Sequence, residues 1–123
     1  MWSRLRLSSL ALLLLATFAA QAQGPAFPYS VALTWTLSTS AGITGQNVYR
    51  APYAGMCGTF AKLTATPIGA TLTSYSDTTV VPNSVYCYEV TAISSAGESG
   101  PSNLQQNIQI PPAPDTNLTA VTN

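Results

Sequence analysis

Apolar and polar residues alternate with a period of two in two stretches of the chain, 31–37 and 85–94. In the first stretch one face carries Val31, Leu33, Trp35 and Leu37. In the second the corresponding face carries Tyr86, Tyr88, Val90 and Ala92. This alternation is typical of strands with one buried face. Residues 85–94 form the longer strand, and we expect the other elements to pack around it.

Four shorter stretches have the composition of strands and are separated by turns rich in Gly, Pro, Ser and Thr. They span residues 46–50, 60–63, 72–77 and 104–110. Beyond residue 22, apolar residues do not recur at helical spacing. A series of short strands joined by such turns predicts an all-β sandwich.

Residues 1–22 have the layout of a secretory signal peptide. Arg4 and Arg6 precede an apolar run over residues 7–20, and Ala20-Gln21-Ala22 provides a cleavage site. The alternative is a membrane anchor, but the run is interrupted by polar residues and falls short of the roughly 20 apolar residues of a membrane-spanning helix. We predict cleavage after Ala22 and a secreted chain, extracellular or periplasmic.

Cleavage after Ala22 leaves a weakly acidic chain. Its charged side chains are Arg50 and Lys62 against Asp77, Glu89, Glu98 and Asp115, a net charge of −2. A chain with so few basic residues lacks the electrostatic footprint of a nucleic-acid or anionic-membrane partner. We therefore expect no nucleic-acid partner and no membrane insertion after signal cleavage.

Two cysteines, Cys57 and Cys87, lie in the exported part of the chain. An even pair in an oxidising compartment predicts a disulfide. A metal site or a catalytic thiol is less favoured, because the sequence contains no His to complete the ligand set or act as the base. We predict a structural disulfide, no metal site and no cofactor.

The motifs that carry common catalytic chemistry are missing from the sequence. It has no closely spaced carboxylates, no Gly-rich phosphate loop and no G-x-S-x-G. Asp77 is interpreted as a turn residue and Glu98 as a solvated turn residue. We therefore predict no catalytic residues and no enzymatic activity.

Several motifs resemble the fibronectin type III family in its secreted bacterial form. They occur in the family's order: Leu33-Thr34-Trp35, then Ile43 to Arg50, then Tyr75-Ser76-Asp77, then Tyr86-x-Tyr88-x-Val90-x-Ala92 with Gly97-x-Ser99. The resemblance implies a seven-stranded, immunoglobulin-like antiparallel sandwich over residues 23–111. Residues 112–123 form a Pro-rich tail that resembles a linker or the first strand of a following domain. The chain departs from the family at Gln46, where an aromatic is usual, and at residues 23–30, where the first strand is poorly formed.

The resemblance also implies roles for individual residues. Tyr86 resembles the tyrosine-corner residue, whose hydroxyl bonds to backbone near residues 80–83. With Tyr86 and Tyr88 inward, Cys87 faces outward, within reach of Cys57 in the loop after the third strand of the family. The central core is expected to comprise Trp35, Val48, Tyr86, Tyr88 and Val90.

Domains of this family commonly serve as spacers or binding units in adhesion and polysaccharide-handling proteins, and the ligand expected here is a protein or a carbohydrate. Tyr49, Tyr53 and Phe60 form either an exposed binding platform or a shield for the disulfide. The tail is either a flexible linker or a strand that fills an open sheet edge, in its own domain or in a neighbour's. Exchange between copies would make the protein a self-associating structural subunit.

Overall fold

A computed structural model describes residues 29–123, so the predicted signal peptide and residues 23–28 lie outside the described residues. Eight strands occur in this range, and it includes no helix that could cross a membrane. The strands are β1 (Val31–Thr34), β2 (Ile43–Pro52), β3 (Ala61–Lys62), β4 (Ile68–Gly69), β5 (Ser74–Asp77), β6 (Val85–Ser94), β7 (Gly97–Glu98) and β8 (Gln105–Gln109).

The strands form two antiparallel sheets. The smaller sheet consists of β1 and β5, with Val31 opposite Asp77. The larger sheet is built on the long pair β2 and β6; β3 and β4 pair with β2, whereas β7 and β8 pair with β6. The predicted all-β, antiparallel class is confirmed. The described residues contain eight strands rather than seven, because short pairings form inside stretches predicted as loops.

The core lies between the two sheets. Its buried cluster comprises Val80, Tyr86, Tyr88 and Ile110. Val31 and Leu33 of the smaller sheet pack against this cluster with their side chains partly buried. The inward face of β6 therefore meets the inward face of β1, the layered arrangement of a β-sandwich.

Pairing partners set the ends of the strands. The strand predicted over residues 85–94 has these bounds in the structure. The strand β2 extends well beyond the predicted 46–50 because nine residues of β6 pair with it. Conversely, the strand predicted over residues 31–37 ends at Thr34, where its pairing with β5 ends. Residues 35–37 lie beyond β1 but keep the alternating burial of a strand.

The predicted disulfide is present between Cys57 and Cys87, whose Cα atoms are 5.9 Å apart. Cys87 lies on the opposite face of β6 from Tyr86 and Tyr88, the outward face, and is nevertheless fully buried. The reason is the loop 53–58, which returns across this face and brings Cys57 onto it. Tyr53 pairs with Cys57 across the loop, and Gly58 N donates a 2.8 Å hydrogen bond to Pro52 O.

Candidate binding groove

The residues expected at the centre of the core do not share one environment. Val48, Tyr86 and Tyr88 are buried, whereas Trp35 and Val90 are only half-buried. Trp35 and Val90 instead line a groove of about 210 Å³ at one end of the sandwich. The sequence assigned Trp35 to packing alone because it lies on the apolar face of its strand; the structure places it at the boundary between core and solvent.

Gln46 explains why this end of the core stays open. Its side chain is buried, its Oε1 accepts a 3.1 Å hydrogen bond from the indole Nε1 of Trp35, and its Nε2 donates to Ala70 O at 3.0 Å. Gln46 faces Ala92 across the β2–β6 pair. Neither side chain has the volume of an aromatic ring, so the space beneath Trp35 is left unfilled.

Residues 99–102 form the far wall of the groove through a repeated hydrogen-bond pattern along β6. Ser99 N donates to Ala92 O at 2.8 Å, and Ser99 Oγ accepts from Ala92 N at 2.9 Å. Ser102 N donates to Val90 O at 2.8 Å, and Ser102 Oγ accepts from Val90 N at 3.0 Å. Ser99 and Ser102 thus supply hydrogen-bond partners for the backbone of Ala92 and Val90, as a neighbouring strand would. The sequence predicted a turn over residues 95–101. The Ser-Gly-Pro-Ser spacing of residues 99–102 was the signal from which these backbone contacts could have been predicted.

A smaller cavity of about 50 Å³ continues the groove along β1. Its lining includes Leu33 and Gln105, and it shares Trp35, Val90 and Ser102 with the larger cavity. Together the two cavities make one channel beside β1, which we call the Trp35 groove. Its lining combines apolar side chains with serine hydroxyls and, in the smaller cavity, with the polar residues Glu89, Asn103 and Gln105.

One backbone edge of β1 runs along this groove. Trp35 N donates to Thr73 O at 3.0 Å, which continues the β1–β5 ladder. Because antiparallel hydrogen-bonded pairs alternate with non-bonded pairs, the backbone groups of Val31 and Leu33 face β5, and those of Ala32 and Thr34 face away. Within residues 29–123 no strand pairs with this outer edge.

Asp77 is a buried structural carboxylate and not a solvent-accessible acid. Its side chain is 1% exposed; Oδ1 accepts hydrogen bonds from Thr79 N and Thr79 Oγ1, and Oδ2 accepts from Tyr88 OH and Arg50 Nη1. Burial alone would raise the pKa of Asp77, but the hydrogen bonds from Thr79, Tyr88 and Arg50 outweigh it and hold the pKa below its ordinary value. Burial and the bond to Asp77 raise the pKa of Tyr88. The turn predicted at Asp77 is present and is formed by the hydrogen bonds from Thr79. It belongs to a larger buried cluster that includes the ion pair with Arg50.

Glu98 belongs to a second polar cluster on the outer face of the larger sheet, although the sequence placed it in a simple turn. Its Oε1 accepts hydrogen bonds from Thr91 Oγ1, from Tyr49 OH at 2.6 Å and from Asn47 Nδ2 at 3.2 Å. These bonds lower the pKa of Glu98 and raise that of Tyr49. Among the described residues no three acidic, His or Cys side chains come together as a metal site would need.

The three candidate surface aromatics occupy separate settings. Tyr49 is tied to Glu98, and Tyr53 lies in the disulfide loop with its N–H donating to Val85 O at 2.9 Å. Phe60 directly precedes β3, and all three side chains are half-buried. In the described part of the chain, the aromatic pair in contact is Tyr86 with Tyr88, not any of these three.

Comparison with known proteins assigns no family. No protein-family model matches the chain, and a search of curated proteins finds no significant match. The role of the groove therefore rests on its geometry and chemistry.

Proposed function

We propose that this protein is a secreted, non-catalytic module of fibronectin type III type that binds an extended polypeptide strand. The binding surface is the outer edge of β1 together with the Trp35 groove beside it. The observation that carries this proposal is that no strand within residues 29–123 pairs with the backbone of Ala32 and Thr34, which lies next to the Trp35 groove. An exposed strand edge offers hydrogen bonds to an incoming strand, and the neighbouring groove takes its alternate side chains.

The arrangement of strands supports the family resemblance. The smaller sheet pairs β1 with β5, and in the larger sheet β3, β2, β6 and β8 are neighbours in that order, as expected for this family from its second strand onward. Tyr86 adds a local signature, since its hydroxyl oxygen accepts a 3.2 Å hydrogen bond from Val81 N, the bond expected of a tyrosine corner. The buried disulfide favours an oxidising compartment and hence export.

A polypeptide ligand fits this surface better than a carbohydrate. Ala32 and Thr34 offer backbone N–H and C=O groups at the strand spacing, which only another backbone matches along its length. Within residues 29–123 the aromatic rings in contact are those of Tyr86 and Tyr88, and Tyr49, Tyr53 and Phe60 form no such pair. Trp35 is half-buried, and its ring nitrogen already donates to Gln46.

The acidic side chains with lowered pKa have structural partners, which supports a non-catalytic role. Asp77 is enclosed between the sheets by four hydrogen bonds, and Glu98 lies on the face of the larger sheet away from the groove. Neither carboxylate lines the Trp35 groove.

Export is tested by expressing the full chain in a secreting bacterial host and measuring the intact mass of the exported product. The expected product begins at Gln23 and carries a disulfide, so it resists thiol labelling until it is reduced. Retention in the membrane at full length would contradict the secreted module.

Strand binding is tested with linear 12-residue peptides selected from a random displayed library on the immobilised exported protein. Thr34→Pro removes the outward N–H, and proline is tolerated on edge strands because no ladder hydrogen bond is lost. We expect selected peptides to bind wild type and the control Thr34→Val alike, and to bind Thr34→Pro at least tenfold more weakly. Failure to select any peptide, or equal binding to Thr34→Pro, would overturn the proposal.

A further inference from the structure

We propose that the strand accepted by the outer edge of β1 is the C-terminal tail of a second copy of this chain. The donor is the segment 118–122, Leu-Thr-Ala-Val-Thr, and the acceptor is β1 with the Trp35 groove. This inference rests on the proposed strand-binding function and names its partner. The protein is then a subunit that assembles by strand addition.

The tail carries apolar side chains that the isolated chain does not bury. Residues 111–123 are exposed throughout and form no strand; Leu118 is 97% exposed and Val121 is 88% exposed. Asn117 has a positive φ of 61°, a conformation that Asn adopts readily, and it separates the Pro-rich part of the tail from residue 118 onward. The donor segment therefore begins after a bend and contains no proline.

The position of the tail favours a second copy over the chain's own β1. Tyr29, just ahead of β1, donates from its hydroxyl to Pro112 O at 2.8 Å, so the tail leaves the domain at the Val31 end of β1. At the other end, Trp35 and Gln105 line the same cavity, so β1 and β8 run in opposite directions. To pair with its own β1, the tail would have to reverse and run parallel to it.

A tail from another copy avoids this reversal. It can enter from the Trp35 end and pair antiparallel, as the strands within residues 29–123 do. Prolines 111, 112 and 114 stiffen the first part of the tail and project it away from its own domain. The tail is thereby presented to a neighbour.

The donor segment also matches the acceptor in length and pattern. Five extended residues span about 17 Å, which covers the roughly 13 Å of a four-residue strand such as β1. Leu118, Ala120 and Thr122 fall on one face of the segment, and Thr119 and Val121 fall on the other. In this arrangement Leu118 enters the Trp35 groove, and Thr119 and Val121 lie on the outward face.

Each copy has one tail and one acceptor edge. Two copies can exchange tails reciprocally and close as a dimer, or each tail can fill the edge of the next copy and extend a chain. Both assemblies bury the same donor on the same edge. The stoichiometry distinguishes them, and either one supports the proposal.

The test is sedimentation velocity on the exported full-length protein over a concentration series, together with hydrogen exchange at the Ala32 and Thr34 amides. We expect the mean sedimentation coefficient to rise with concentration, with protection of both amides rising in parallel. Leu118→Asp should weaken association at least tenfold, whereas the matched control Thr119→Asp, which adds the same charge on the other face, should retain it. Thr34→Pro should abolish association, and Thr34→Val should not.

Three outcomes would overturn the inference. One is a monomer at every concentration; if selected peptides still bind in that case, the strand-binding function survives and only the tail is excluded as partner. The second is association that is equally strong in Leu118→Asp. The third is protection of Ala32 and Thr34 that does not depend on concentration, since the chain's own residues would then occupy the edge.

Discussion

The hydroxyl of Tyr88 donates a 2.8 Å hydrogen bond to Oδ2 of Asp77, joining β6 in the larger sheet to β5 in the smaller one. Arg50 completes the link, because its Nη1 contacts the same oxygen at 2.8 Å and its guanidinium lies 4.6 Å from the centre of the Tyr86 ring. The two sheets are therefore held together by a charged cluster as well as by apolar packing. Its members satisfy one another, and the described residues contain no buried side-chain polar atom without a hydrogen-bond partner.

Tyr88→Phe should destabilise the protein by about 1.5–3 kcal/mol, since it removes a hydrogen bond to a buried charged group. Urea unfolding followed by circular dichroism measures the change. Tyr75→Phe is the matched control: Tyr75 lies in β5, half-buried, with no recorded hydrogen bond to its hydroxyl in residues 29–123, and it should change stability by less than about 0.5 kcal/mol. Equal effects of the two substitutions would contradict the role assigned to the Tyr88–Asp77 bond.

Stability should fall in acid because the folded-state pKa of Asp77 is lower than its ordinary value of 3.8. A depressed pKa contributes stability above the unfolded-state pKa, and this contribution is lost as the pH falls through the folded-state pKa. The midpoint of urea unfolding should therefore hold steady above about pH 5 and decrease below pH 4.

Two variants test whether Asp77 is the source of this acid dependence. Asp77→Asn should flatten it, whereas Glu98→Gln should leave most of it, because Glu98 is exposed on the outer face. An acid decrease that disappears in Glu98→Gln and persists in Asp77→Asn would show that the buried cluster is not its source.

Removing the disulfide by Cys57→Ala with Cys87→Ala should cost about 3–4 kcal/mol, because the bond closes a loop of 30 residues. Thermal unfolding of the exported protein and of this double variant measures the difference. Adding reductant should lower the stability of wild type towards that of the variant and leave the variant unchanged. If reduction leaves wild type unaffected, the bond contributes no stability.

Ser102→Ala should cost about 1 kcal/mol, because its hydroxyl accepts from Val90 N and this backbone group would lose its partner. Ser99→Ala should have a similar effect through Ala92 N. Ser95→Ala serves as the control, since Ser95 is exposed and its hydroxyl has no recorded partner in the described range. Amide exchange at Val90 should accelerate in Ser102→Ala, and unchanged exchange would contradict the assignment.

The strand β6 could be predicted from the sequence to its end residues because its signal is local. Large apolar residues alternate over its length, and a Gly turn follows it. The disulfide was also predictable, because the sequence contains two cysteines and they allow one pairing. In contrast, β4 and β7 have two residues each and exist only through their pairing with β2 and β6. A strand of two residues is too short to show a period-two alternation in the sequence.

Sequence by itself determined the all-β class, the inward face of β6 and the disulfide pair, because period-two alternation and cysteine count follow directly from residue types. Tertiary structure decided the roles of Asp77, Glu98 and Trp35, because each role depends on contacts across strands distant in the chain. Asp77 is buried because Arg50 and Tyr88 arrive from the other sheet. Trp35 lines a groove because Gln46, which accepts the hydrogen bond from its indole, is too small to fill the space beneath the ring.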